Sequence, residues 1–397
     1  MRQRSLRALE ANRLDGQRAL VRVDFNCPVT NGVVTDDTRI RAALPTIRHL
    51  RENGARVILC SHFGRPKDGP DAAFSLKPVV ARLEAILGSP VTFVEEPLAE
   101  GAEALTRRLP RGAVAMLENM RFHPGEEQND PAFAQQLARL GDLYVNDAFG
   151  SAHRAHASTE GVAHLLKPAV AGFLMERELK FLGDALDTPK RPFVAVLGGA
   201  KISGKIDLIE ALLPRVDRIL VGGAMACTFF KAMGLEVGQS LVEDDRLEMA
   251  RSLMEKAAGK LRIPGGAVLG PELREGITTQ VVPRDRISPG WAVYDIDPAT
   301  VKAYAAEIMS AGTVIWNGPM GVFEVRGFDQ GTLGIAYAMA EATSRGTITV
   351  VGGGDSAAAL VKAGLADRVT HLSTGGGAAL EFMEGKTLPG VAALDPA

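Results

Sequence analysis

The sequence predicts an α/β protein made of two doubly wound (Rossmann-like) parallel-sheet domains, and three observations lead there. The chain has 397 residues, whereas single hydrophobic cores stop growing at about 250–300 residues, so two cores are expected. Short β-rich runs alternate with longer helical patterns along the whole length, as in parallel sheets with crossover helices. The strand-like runs end in glycine or in isolated polar groups, and open α/β sheets bind their ligands outside the carboxyl ends of the strands.

In chain order, the first half offers strands at 18–23 (RALVRV), 55–60 (ARVILC), 91–96 (VTFVEE), 113–117 (AVAML) and 143–147 (LYVND). The second offers 192–197 (PFVAVL), 218–223 (RILVGG), 278–283 (TTQVVP), 313–318 (TVIWNG), 347–353 (TITVVGG) and 369–374 (VTHLST). Between the halves, GFLMERELKFLGDALDTPKRP (172–192) has helical spacing of apolar positions and ends in a Pro-bearing turn. It reads as the connecting helix and linker, 172–191, between a first domain at 1–171 and a second at 192–376. Six of the seven histidines precede residue 170, a compositional shift at the same place. The segments just past the strands also change character: DFN, SHFGR, ENMRFH and NDAFGSAHRAH in the first half, GGAK, GGAM, NGPMGVFE and GGGDS in the second. Each half should therefore own one ligand site.

Hydrophobic residues make up 46 % and charged residues 23 %, the balance of an ordinary globular protein. A net charge of −2 gives no global attraction to nucleic acid or an anionic membrane, so neither is expected as a partner and any anion site must be local. Cys27, Cys60 and Cys227 are odd in number, far apart and set in apolar runs, which suits buried reduced thiols. MRQRSLRALEAN lacks an apolar signal core, and no run approaches the roughly 18 residues of a membrane helix. A cytoplasmic location is the expectation.

Arg39, His62, Arg65, Arg121 and Arg154 stand at or near successive strand ends of the first half. Guanidinium forks match carboxylate and phosphate bidentately, so the group suits a small dianion. For any single arginine a surface ion pair is the alternative. No second His or Cys lies at ligand spacing from His62, which favours a hydrogen-bonding role over a metal. In the second half, GGAKISGKI nearly matches a Walker loop, but Ile206 stands where a Mg²⁺-binding hydroxyl belongs. Lys201 and Lys205 would still share one face if a helix starts there. VVGGGDSAAALVKAG places a strand, three glycines and a helix start in series, offering bare N–H groups and a positive dipole end to an anion. Asp355 after the glycines is either an N-cap or a Mg²⁺ ligand between protein and phosphate. The same stretch fits the loose dinucleotide fingerprint, but the next strand ends in Ser373 and Thr374 without the ribose-binding acid.

With VRVDFNCP, DDTRIRAALPTI, SHFGRP, LENMRF, NDAFGSAHRAHAS, LGGAK, WNGPMGVFE, VVGGGDS and STGGGAALEFMEGKTLPG in series, the chain resembles the phosphoglycerate kinase family over essentially its whole length. The resemblance implies reversible, Mg²⁺-dependent phosphoryl transfer between ATP and the carboxylate of 3-phosphoglycerate, giving ADP and 1,3-bisphosphoglycerate, in a monomer. It implies two lobes facing each other across a cleft, a hinge helix between them, and a C-terminal segment, 377–397, that packs back on the first. Carried over by position, the acid-substrate site comprises Asp24, Asn26, Arg39, His62, Arg65, Arg121 and Arg154. The nucleotide side comprises Lys205, Gly199, Gly222, Asn317, Glu324 at the ribose, Gly353, Gly354, Asp355 and Ser356, with Asp355 at the metal. Arg39 and Lys201 are the implied catalytic cations. Phe63, Cys27, Gly204, Ser356 and Ala378 depart from the residues usual in the family. The competing classes are an NAD-dependent oxidoreductase and a non-enzymatic two-lobed anion-binding protein.

Overall fold

The computed structural model describes residues 3–67 and 69–397. The chain divides into two compact units, Met1–Leu179 with Thr387–Ala397, and Lys180–Lys386. The first unit holds a six-stranded sheet formed by β1 (Arg18–Arg22), β2 (Arg56–Cys60), β3 (Val91–Val94), β4 (Val114–Leu117), β5 (Leu143–Asn146) and β6 (Ala169–Ala171). All its ladders are parallel, in the order β3-β4-β2-β1-β5-β6. β1 lies between β2 and β5, and every one of its five residues is buried. Strands covered on both faces read as nearly continuous apolar runs, which is why AVILMF-rich stretches marked them. β6 escaped sequence reasoning because it is three small residues between Pro168 and Gly172.

The second unit repeats the design with β7 (Phe193–Leu197), β8 (Arg218–Val221), β9 (Leu261–Arg262), β10 (Thr313–Asn317), β11 (Ile348–Gly352) and β12 (His371–Leu372). Their parallel order, β9-β8-β7-β10-β11-β12, reverses direction between β7 and β10, the switch point at which doubly wound sheets open a crevice for ligand. The run at 278–283 does not join this sheet. Gln280–Pro283 is mostly exposed and edges a separate three-stranded antiparallel sheet with Gly266–Gly270 and Ala292–Ile296.

The expected connecting helix is present at Phe173–Asp187. The C-terminal return starts later than 377: Gly377–Met383 is a helix of the second unit, with Ala378, Ala379 and Met383 buried. Lys386 reaches Asp207 at 3.0 Å there, and only from Thr387 does the chain rejoin the first unit. Asn146 Nδ2 donates to Gly390 O at 3.0 Å and Arg4 N–H to Asp395 O at 2.8 Å, fixing that return to the end of β5 and to the N-terminal segment. The three cysteines are free and buried, as expected. Among the described residues no helix is long and apolar enough to cross a membrane.

Candidate active site

In the first unit the central strands deliver their polar residues to one end of the sheet. Past β1, Phe25 points into the core and anchors its N–H on Ser61 Oγ at 2.9 Å, so Asp24 and Asn26 on either side are turned out of the core. β2 runs into Ser61 and His62, and His62 is only 6 % exposed. β4 runs through Glu118 and Asn119 to Arg121. Asn119 is fully buried and acts as a hub, accepting from the N–H groups of Phe63 and Arg121 at 3.1 Å each and donating to the carbonyls of Phe63 and Phe74 at 2.7 and 3.0 Å. That hub fixes the loops after β2 and β4 to each other.

On this frame Arg39, in the first turn of helix Thr38–Glu52, donates to Asp24 Oδ1 at 2.7 Å. Asn26 Oδ1 accepts from Gly64 N–H at 3.0 Å, and Gly64 O accepts from Arg121 Nη1 at 2.7 Å. Burial pushes the Asp24 carboxyl up, but the His62 ring, the Arg39 and Arg22 guanidiniums and the Asn26 N–H outweigh it and hold the group below its usual range. Burial drives His62 well below the ordinary imidazole value; Asp24 opposes this, while Arg22, Arg121 and Arg39 add to it. His62 is therefore neutral at pH 7. Arg121, its side chain only 6 % exposed, lies 3.1 Å from Glu127 at an angle that makes no hydrogen bond. Burial lowers its pKa, and Arg154 is among the cations that lower it further. Arg65 is exposed and follows Gly64; neither it nor Arg154 has a carboxylate partner among the described residues. Five of the seven expected residues are thus linked by hydrogen bonds or mutual charge around Asp24 and His62, with Arg154 joined through Arg121 and Arg65 carried on the same loop. The surplus is positive, which suits an anion.

Arg22 belongs to this cluster and was missed by sequence reasoning. It is 1 % exposed and donates from Nη2 to His62 Nδ1 at 3.1 Å. The available signal was an arginine at each end of the five-residue strand RALVR, the second of them at the end that leads to Asp24 and Asn26.

The second unit builds its site from backbone. β7 is followed by Gly198 and Gly199, β8 by Gly222 and Gly223, and β10 ends in Asn317 and is followed by Gly318. A Cβ on Gly223 (φ +69°) would sit 2.4 Å from Gly199 O, so these turns close on each other with no side chain between them. Gly222 packs against Met320 Sδ, where a Cβ would come within 2.4 Å. β11 leads into Gly353, whose φ of +95° makes it the cap of helix Gly354–Lys362. The N–H groups of Gly354, Asp355 and Ser356 have no backbone acceptor in that first turn, the arrangement that favours an anion. Ser356 is fully buried and its Oγ accepts from Gly318 N–H at 2.7 Å, so its hydroxyl ties two turns together and is not presented outward. Asp355 and Glu324 are exposed.

Lys201 and Lys205 do not share a helix face. The helix begins only at Ile206, and Lys201–Gly204 is a turn whose Ser203 N–H is held by Glu243 at 3.0 Å. Gly204 and the Ser203–Glu243 bond together favour a turn over a helix here. Lys205 is half-buried with Nζ donating to Asn317 Oδ1, and Asn317 Nδ2 donates to Gly352 O at 3.1 Å. Burial lowers the Lys205 pKa against the pull of Glu384 and Asp355. Lys201 is exposed. Asn317 thus joins Lys205 to the glycine turn of β11. A small, largely apolar hollow is lined by Gly223, Ala226, Phe230, Val293, Asp295 and Met320.

Among the described residues no group of three or more His, Cys, Asp or Glu is arranged to hold a metal ion. A single exposed carboxylate beside free N–H groups does fit Mg²⁺ that arrives on a phosphate, since that ion keeps waters and takes one or two carboxylates.

The profile of the family described as Phosphoglycerate kinase matches residues 9–386. A phosphoglycerate kinase of Chlorobaculum tepidum is 56 % identical over 386 residues, covering 96 % of this chain and 97 % of its own. One of Chloroflexus aurantiacus is 58 % identical over 388 residues with the same coverage. Among solved structures, phosphoglycerate kinase of Coxiella burnetii superposes with TM-score 0.90 at 42 % identity, and that of Pyrococcus horikoshii with 0.84 at 31 %, each covering 98 % of both chains. This chain belongs to the phosphoglycerate kinase family.

Proposed function

We propose that the chain transfers the γ-phosphoryl group of MgATP to the carboxylate of 3-phosphoglycerate, and back from 1,3-bisphosphoglycerate to ADP, as a cytoplasmic monomer. The observation that carries this reading is that the strand ends of the two parallel sheets carry groups of different kinds. Side-chain cations gather in the first unit; bare N–H groups, Lys205 and an exposed carboxylate gather in the second. One suits a small phosphorylated acid and the other a polyphosphate tail.

The chemistry needs little more. A carboxylate with a reference pKa near 4 is ionised at pH 7, so no base has to remove a proton before attack. The remaining requirements are positioning and neutralisation of charge on the transferring group. In this reading Arg65, Arg121 and Arg154 hold the phosphate of the acid, Asp24 and Asn26 its hydroxyl, and His62 donates a neutral N–H. Arg39 and Lys201 neutralise the transferring group. The first turn of Gly354–Lys362 and Lys205 take the nucleotide phosphates, and Glu324 takes the ribose. Asp355 would hold Mg²⁺, which supplies positive charge shared between phosphate oxygens.

The oxidoreductase reading lacks its ribose acid, since β12 is succeeded by Ser373 and Thr374. A purely binding protein would leave the Lys205–Asn317–Gly352 arrangement without a task. The test is ADP formation from MgATP, dependent on 3-phosphoglycerate, in a coupled assay; tight binding of both ligands without turnover would sink the proposal.

A further inference from the structure

Behind His62 runs a buried polar chain of Arg22, Ser158 and Glu126, none of which is among the residues expected at the site. Arg22 Nη2 lies 3.1 Å from His62 Nδ1, Arg22 Nε donates to Ser158 Oγ at 2.8 Å, and Ser158 Oγ lies 2.5 Å from Glu126 Oε1. Glu126 Oε2 accepts the Ser158 N–H at 2.8 Å. Ser158 and Glu126 are fully buried and Arg22 is 1 % exposed. Ser158 sits in a π-helical turn, Ala157–Gly161, of the kind often kept at functional sites, and Tyr144 Oη donates to its carbonyl at 2.8 Å.

The proton directions along this chain are forced. A guanidinium only donates, so His62 Nδ1 must accept and be bare, and the neutral ring carries its proton on Nε2. Ser158 Oγ likewise accepts from Arg22, which leaves its single proton for Glu126. We propose that Ser158 and Glu126 are positioning residues of the acid-substrate site: through Arg22 they hold His62 in the Nε2–H tautomer, with that N–H as the donor to the substrate. His62 Nε2 has no protein partner among the described residues, so it is the nitrogen left for a ligand. The assignment of a substrate to that N–H rests on the function proposed above; the tautomer does not.

The test uses the full chain, ¹⁵N-labelled at histidine, without substrate and near neutral pH, with the His62 signals assigned by their loss in His62→Gln. Wild type is expected to show a bare Nδ1 and a protonated Nε2. Ser158→Ala should give a mixture of tautomers and raise KM for 3-phosphoglycerate by about tenfold, the loss of one charge-assisted bond, with KM for MgATP unchanged. Ser158→Thr, which keeps the hydroxyl, should restore both. A protonated Nδ1 in wild type overturns the proposal even if no variant folds. So does Ser158→Ala with a wild-type tautomer, or with equal rises in both KM values. A wild-type enzyme that shows the expected tautomer but does not phosphorylate the acid would refute the reaction and leave the tautomer assignment standing.

Discussion

Replacing Asp147 by Asn should make the protein more stable at neutral pH relative to acid than the parent chain is. Asp147 is fully buried at the end of β5. Its Oδ1 accepts from Leu174 N–H at 2.9 Å and Met175 N–H at 3.2 Å, so it caps the connecting helix from a distant strand, while Oδ2 is buried without a partner. Burial pushes this carboxyl from 3.8 to about 6, against the Thr46 hydroxyl and the two N–H groups. The fold therefore favours the protonated form. Its contribution to stability is fully present below pH 3.8 and is lost as pH rises through about 6. At about 1.4 kcal/mol per unit, a rise of about two units makes ionised Asp147 cost roughly 3 kcal/mol at neutral pH. Asn keeps the Oδ1 acceptor and removes the charge. Its amide nitrogen falls where Oδ2 has no partner, a cost of about 1–3 kcal/mol that does not depend on pH. The slope is the diagnostic: the stability of Asp147→Asn minus that of wild type should grow by roughly 2.5 kcal/mol between about pH 4 and about pH 7. Urea unfolding tracked by far-ultraviolet circular dichroism reads it, while Trp291 and Trp316, both in the second unit, report that unit separately by fluorescence. A difference that stays constant across the range would refute the reasoning.

Arg39→Ala and Lys201→Ala should each lower kcat by a factor on the order of 10³–10⁵ while leaving nucleotide affinity nearly unchanged, as expected for cations that act on the transferring group; near-normal turnover in either would remove that residue from its role. Lys362 Nζ donates to Phe323 O at 2.7 Å beside Glu324, so Lys362→Met should loosen the ribose contact and raise KM for ATP by up to about tenfold with kcat retained, measured by steady-state kinetics. Gly353→Ala forces a Cβ onto φ +95° and to 3.2 Å from Asn317 Nδ2. It should destabilise by about 1–2 kcal/mol and weaken MgADP binding in calorimetry, and unchanged binding would show that the cap geometry is not what the phosphates use.

The physics of each feature decides whether it was legible in the sequence. Strands buried on both faces are written as apolar runs, so β1, β2, β7, β10 and β11 were found nearly to the residue, and the glycine cap before Gly354–Lys362 was visible because only glycine takes that backbone. Very short strands carry no such imprint, and β6 and β9 were missed; the buried antiparallel strands at Gly266–Gly270 and Ala292–Ile296 were missed too, the first because glycine at both ends and only three apolar residues between leave little strand signal, the second because Tyr294 and Asp295 interrupt its apolar run. Residues whose work is to hold other residues were also hidden. Arg22, Asn119 and Ser158 are recognised only once distant strand ends converge, because a partner 40 or 136 positions away leaves no local pattern. The Lys201–Lys205 helix face failed for a local reason: the Ser203–Glu243 bond, spanning 40 positions, won over the spacing.

The two anion sites illustrate opposite solutions to one electrostatic problem, and the difference dictates what lies behind each. A pocket of guanidiniums brings like charges together, so each cation must be oriented by buried acceptors that water would otherwise replace. Asp24 accepts from Arg39, Gly64 O from Arg121, and Ser158 from Arg22 with Glu126 behind it; removing one leaves a neighbour unpaired in a medium where such a group costs about 1–3 kcal/mol. A pocket of backbone N–H groups carries only partial charges and needs few such partners. It needs close approach instead, so its support is steric: Gly199 against Gly223, Gly222 against Met320, Gly318 against Gly198. Substitutions behind the first pocket should therefore act through proton positions and charge, with effects that change with pH. Those behind the second should act through volume and be indifferent to pH. That contrast is a property of the residue types chosen at the strand ends, since both units place them on the same kind of parallel sheet.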